Sequence, residues 1–196
     1  MRYNLSEIND LIRNRRTIYP EQYTDRVVQK DMIETILTNA LWAPTHGKTQ
    51  PWRFKVFSGE GRKILQEKFL DLYTRLTPEE DFKQVKYDRI KARIDKTTML
   101  VLLVMERTEG TRIPELEEIE AVSCAAQNIL LTATAYGLGS FWSSPKFLYT
   151  EEANSSFGLK NDDKILGLLY FGYPSVEWPK SHRKPLEYAT EWIDGE

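Results

Sequence analysis

The chain has 196 residues, of which 41% are hydrophobic, 12% aromatic and 29% charged, enough apolar material for one ordinary globular core. A net charge of −2 and a pI near 5.9 exclude a global attraction to nucleic acid or anionic lipid, so no nucleic-acid or membrane partner is expected and any anion site must be local. One cysteine and two histidines exclude an intrachain disulfide and any zinc spacing.

The opening segment MRYNLSEINDLIRN has no apolar signal core, and the longest apolar run, MLVLLVM, is too short to cross a bilayer. A cytoplasmic protein is expected. Leu5, Ile8, Leu11 and Ile12 recur at helical spacing, with Ser6 as the expected N-cap. Arg13, Arg15 and Arg16 then crowd the end of that helix and are followed by Thr17. Such a cluster is either a solvated basic end that answers the helix dipole or an oxyanion clamp of guanidinium forks and a hydroxyl.

Met32, Ile33, Ile36, Leu37, Ala40 and Leu41 give a second helix, with Pro44 beyond its end. The loop APTHGKTQP follows, stiffened by Pro44 and Pro51 and carrying His46, Lys48, Thr49 and Gln50. A Pro-bounded turn explains the prolines and Gly47 but not this gathering of polar side chains. WRFKVF alternates as a strand that buries Trp52, Phe54 and Val56. Helical spacing returns at Ile64, Leu65, Phe69 and Leu72, and more weakly from Glu79 to Lys96. MLVLLVM, at 99 to 105, suits a strand buried on both faces, and RTEGTRIP is a loop.

The longest helix runs from about Leu116 to Tyr136, apolar nearly all round, with Gly137 as its left-handed C′ residue. Its acidic start, ELEEIE, needs no metal, and Cys124 reads as a packed small hydrophobe. A helix this apolar calls for cover from a partner subunit. Gly137-Leu138-Gly139 follows a helix and lacks a third glycine, so it is no dinucleotide fingerprint. Phe141 and Trp142 then pack, while Ser143 and Ser144 are left without a structural reason. A short helix near Glu151 to Phe157 and the strand ILGLLYFGYP precede a C-terminal arm from about 175–196. Helices interleaved with few strands indicate an α+β fold. There is neither a G-x-S-x-G elbow nor an H-E-x-x-H motif.

Taken together, these stretches resemble the nitroreductase family of FMN-dependent oxidoreductases over nearly the whole chain. RRT is similar to the family's Arg-x-Ser opening, APTHGKTQPWRF to its A-P-S-x-x-N-x-Q-P-W-x-F loop and strand, and AAQNILLTATAYGLGSFW to its central helix and exit. ILGLLYFGYP and RKPLEY resemble its late strand and closing arm. The match departs at Thr45, where the family has Ser, and at Lys48, where many members carry Asn.

The resemblance implies one FMN-binding domain over 1-196, with a central, mostly antiparallel sheet flanked by helices. It also implies a homodimer with FMN at the subunit interface. Arg15, Arg16 and Thr17 would hold the FMN phosphate and ribityl chain or the near edge of the ring, and Arg183 and Lys184 would complete the phosphate clamp. Pro44, His46 and Gln50 would reach the flavin of the partner chain. Trp142, Ser143 and Ser144 would lie along the ring. NAD(P)H would be a transient co-substrate and a small-molecule electron acceptor would follow it, with no classical catalytic side chain and no metal. The expected activity is reduction of nitroaromatic, quinone or enone acceptors by a ping-pong mechanism. A flavin-binding protein for storage, delivery or breakdown is the alternative, and a basic cluster that only stabilises the fold is a third reading.

Overall fold

The computed structural model describes residues 2–193 and 195. Met1, Asp194 and Glu196 lie outside the described residues, and with them the extreme ends of the expected domain and arm. The first helix, α1 (Leu5–Asn14), is capped by Asn4 rather than Ser6. The Asn4 carboxamide oxygen accepts from the Ser6 and Glu7 amides at 3.1 and 3.4 Å, which places Ser6 inside the first turn. No residue of α1 is buried, and Leu5, Ile8 and Ile12 leave an apolar face uncovered within the single chain.

The remaining helices are α2 (Lys30–Ala40), α3 (Gly61–Leu76), α4 (Gln84–Lys96), α5 (Glu115–Ala135) and α6 (Glu151–Ser156). Strands β1 (Trp52–Ser58), β2 (Met99–Met105), β3 (Gly139–Ser143) and β4 (Lys164–Gly172) form an antiparallel sheet in the order β1-β2-β4-β3. As its unbroken apolar run requires, β2 lies between two neighbours and is buried throughout. Met99, Val101, Leu103 and Met105 face the layer of α2 and α5, and Leu100, Leu102 and Val104 face the layer of α3 and α4. Each such side chain contributes roughly 1.5–3 kcal/mol through burial. On the edge strand β1, Trp52 is buried and Phe54 partly so, but Val56 is exposed and Phe57 turns to the opposite layer. The helical cover runs out before Val56.

Helix α5 ends as its sequence requires. Gly137 takes φ +70°, and the amides of Gly137 and Leu138 donate to the carbonyls of Thr134 and Ala133, both at 2.9 Å. The helix is less enclosed than its composition suggests. Ala121, Val122, Ala125, Ala126, Ile129 and Ala133 are buried against the sheet and α2, whereas Glu120, Ser123, Cys124 and Gln127 form an exposed flank. Cys124 is therefore not packed in the core, because it faces away from the sheet. Among the described residues no helix is long and apolar enough to cross a membrane, and no His/Cys/Asp/Glu group could hold a metal.

Candidate active site

Two constellations stand at opposite ends of α5. The first gathers at its C-terminal end. After α1 the chain runs through Arg15, Arg16 and Thr17 and pairs with the start of β3 by a parallel bridge from Thr17 to Ser140. The Ile18 amide donates to the Ser140 carbonyl at 3.1 Å. Gly139 permits this approach, since a Cβ there would lie 2.8 Å from that of Ile18. The second glycine of GLGS thus serves backbone packing that brings the arginine segment to the sheet.

Arg16 partly satisfies the plain reading of the basic cluster. Its Nη1 donates to the carbonyls of Arg13 and Arg15 at 2.6 and 2.8 Å, closing the end of α1. Yet its Nε is buried without a partner among the described residues, and so is the hydroxyl of Ser140. Burial, and then the positive charges of Arg183 and Arg16, hold the Arg15 guanidinium below its usual range. None of these three arginines forms an ion pair with a carboxylate among the described residues. Like charges gathered without a counter-charge are what an oxyanion such as phosphate would relieve.

The adjoining cleft, of about 690 Å³, is lined by Asn14, Arg16, Thr134, Gly137, Trp178 and Ser181. Its far wall is the C-terminal arm, anchored where the Trp178 indole donates to the Asn14 carbonyl. Arg183 is on the same arm and bonds Ser181 Oγ at 2.9 Å, whereas Lys184 is turned to the ring of Tyr188, 5.1 Å away. Ser143 closes β3 half-buried, and Ser144 follows it exposed. Trp142 has its polar atom engaged: Nε1 donates to the Leu166 carbonyl at 3.0 Å. Leu166 is the residue that the β2–β4 register shift leaves unpaired, with Leu103 opposite Gly167 and Val104 opposite Ile165.

The second constellation is the loop between α2 and β1, at the N-terminal end of α5. Pro44 is exposed at its start. Gly47, Lys48 and Gln50 all take left-handed backbone angles, with φ +57°, +56° and +46°. Two non-glycine residues in that region are costly unless the surroundings impose it, and such positions concentrate at functional sites. The surroundings here are specific. The Thr45 hydroxyl accepts the Gln50 amide at 3.2 Å and meets the Thr49 hydroxyl at 3.1 Å. Ile113 abuts Gly47, where a Cβ would lie 2.7 Å from its Cδ1. Arg107 braces Ile113 from behind, donating to its carbonyl at 2.8 Å and pairing with the buried carboxylate of Glu118. Burial alone would raise the Glu118 carboxyl, but the neighbouring donors of Thr108 and the paired guanidinium of Arg107 outweigh it and hold that group below the usual range. His46 Nδ1 lies 2.5 Å from Glu117 Oε2.

The structure therefore gathers Arg15, Arg16, Thr17 and Arg183 but leaves Pro44, His46 and Gln50 elsewhere. Glu117 and Gly137 are separated by 20 residues along α5 and its cap, about 30 Å at the rise of an α-helix. Sequence reasoning missed Ser140, Trp178 and Glu117. Ser140 and Glu117 lay in stretches already singled out, but nothing local shows which side chain a helix turns to a distant loop.

Known proteins agree with this architecture. The sequence profile described as the nitroreductase family matches residues 12–173. YfhC of Bacillus subtilis (strain 168), whose name refers to NAD(P)H nitroreductase activity, is 30% identical over 184 residues, covering 92% of this chain and 91% of its own. The crystal structure of a nitroreductase-like family protein from Bacillus cereus superposes with a TM-score of 0.85 at 29% identity, covering 100% of this chain and 99% of that one. The FMN-dependent nitroreductase NfnB from Mycobacterium smegmatis, solved in complex with NADPH, shares the fold with a TM-score of 0.73 at 20% identity, over 97% and 100% of the two chains. From its profile match and its 30% identity to YfhC along nearly its whole length, the chain belongs to the nitroreductase family.

Proposed function

We propose that this protein is an FMN-dependent oxidoreductase that draws hydride from NAD(P)H and reduces nitroaromatic, quinone or enone acceptors. The observation that carries the reading is the set of three guanidiniums, Arg15, Arg16 and Arg183, crowded without an ion-paired carboxylate among the described residues. Within this set the Arg16 Nε, and next to it the Ser140 Oγ, are buried polar atoms without a partner among the described residues. These donors fit a phosphorylated flavin. Arg15, Arg16 and Thr17 would hold the phosphate and ribityl chain or the near edge of the ring, Arg183 would complete the phosphate clamp, and Arg15 or Arg16 at the N1–C2=O edge would favour the charge that reduction places there. Bound FMN would supply the redox chemistry, with NAD(P)H and then the acceptor occupying one place in turn.

The working unit in this reading is a homodimer. Two α5 helices packed antiparallel along their exposed flanks would bring the arginine cluster of one chain to loop 44–50 of the other. That joins the two constellations that a single chain keeps about 30 Å apart. Lys48, where many family members carry Asn, favours a second reading: a protein that binds FMN tightly with little turnover.

An absorbance spectrum before and after anaerobic NADPH tests both readings. Yellow protein that bleaches and then recovers its colour with a quinone is the expected result. Protein that stays yellow with either nicotinamide would support storage instead. Colourless protein that takes up no added FMN would sink both.

A further inference from the structure

We propose that Glu117 is a positioning residue that makes His46 the proton donor to the electron acceptor. The inference rests on the reading above, in which loop 44–50 lines the flavin site of a second copy.

His46 Nδ1 and Glu117 Oε2 are 2.5 Å apart. An ionised carboxylate can only accept, so Nδ1 carries the shared hydrogen in both the neutral and the protonated ring. Nε2 is then the nitrogen that gains or loses a proton, and it has no protein partner among the described residues. His46 lines a cleft of about 480 Å³ together with Pro44, Thr45, Glu117, Glu120 and Cys124. The ring itself is largely exposed and its hydrogen bond among the described residues is to Glu117, while the loop that carries it is braced from below. Glu117 fixes its orientation, the Thr45 hydroxyl staples the loop through the Gln50 amide, and Ile113 supports Gly47. A left-handed backbone at Gly47, Lys48 and Gln50 fits a loop constrained to aim one side chain. The carboxylates of Glu117 and Glu120 on α5 line the cleft with the ring, and Lys48 follows two residues along the loop. The Arg107–Glu118 pair lies behind Ile113.

The chemistry needs such a donor. Hydride drawn from a reduced nicotinamide leaves an oxygen acceptor with one extra negative charge. The Nε2–H bond of imidazolium breaks as an O–H bond forms on the acceptor. The product is a neutral reduced acceptor and a neutral imidazole that keeps its Nδ1–H on Glu117. Water then returns the proton to Nε2. Glu117 holds the correct tautomer and the orientation of the ring without itself touching the acceptor.

The chain has two histidines, so nitrogen-15 NMR of the whole protein, with His182→Asn for assignment, reads His46 directly. Neutral His46 is expected as the Nδ1–H tautomer, and Glu117→Ala is expected to convert it to the Nε2–H form preferred in water. In the FMN-loaded enzyme, the rate with a quinone is compared with the rate with ferricyanide, a one-electron acceptor that takes no proton. Glu117→Ala is expected to lower the quinone-to-ferricyanide ratio at least tenfold, a part of the roughly 10²–10⁴-fold that a positioned acid supplies, since the acid itself is kept. An Nε2–H tautomer in the wild type would overturn the proposal, and so would a ratio left unchanged by Glu117→Ala. Failure of the wild type to take up FMN would sink the underlying reading instead, and the proposal with it, whatever the tautomer.

Discussion

Lys48 stands at φ +56°, a conformation that asparagine tolerates far better than lysine. The departure from the family's Asn, visible as a mere substitution in the sequence, is therefore a matter of backbone strain as well as side-chain chemistry. Lys48→Asn is expected to stabilise the protein by about 0.5–1 kcal/mol through relief of that strain, read as a higher urea midpoint at unchanged slope. Arg15 lies at the other constellation, where burial and the charges of Arg183 and Arg16 already press upon it. Removing it should cost FMN about 1.5–3 kcal/mol, the worth of a charge-assisted hydrogen bond, which is tenfold or more in affinity. Titration of the cofactor-free Arg15→Ala protein with FMN measures it, and affinity within twofold of wild type would return the cluster to a purely structural role. The arginines and the histidine loop were legible in the sequence because unusual residue types crowd there. Ser140 and Glu117 were not, because a lone serine on a strand and one glutamate in an acidic helix start carry no local signal.

At the level of elements, the sheet and its two helical layers follow from periodicity. The all-apolar β2 could only be a central strand, and α5 stops where Gly137 adopts φ +70°. The bulge in β4 was not readable. Gly167 has φ +141° beneath Trp142, and a Cβ there would lie 2.3 Å from the indole Nε1 and 2.7 Å from the Ser143 carbonyl oxygen. Gly167→Ala should therefore displace the Trp142 indole from the Leu166 carbonyl and cost about 3 kcal/mol or more from combined strain and overpacking. A thermal melt monitored by tryptophan fluorescence reads both effects, and a melting temperature within a degree of wild type would show that the strand accommodates the methyl group. The sequence offered Gly167 only as one glycine in an apolar run. Its role depends on Trp142, 25 residues earlier.

For the whole molecule, the apolar face of α1 and the flank of α5 are exposed in the single chain, and in the proposed homodimer a second copy would cover them. Cys124 lies on that flank. Cys124→Arg should place a charge in the proposed interface, so that wild type sediments at twice the 22.9 kDa chain mass while the variant sediments as a monomer and retains little FMN. A dimeric, FMN-replete variant would move the interface away from α5. By itself the sequence determined the family, the order of elements and the central strand, and it singled out the segments proposed to carry the chemistry, because these depend on residue type and short-range spacing. The tertiary structure alone decided which segments meet. It joined Thr17 to Ser140 through the close approach at Gly139, bound His46 to Glu117, and set the arginine cluster and the histidine loop at opposite ends of α5. Those outcomes depend on the packing of residues far apart in the chain, which no local pattern encodes.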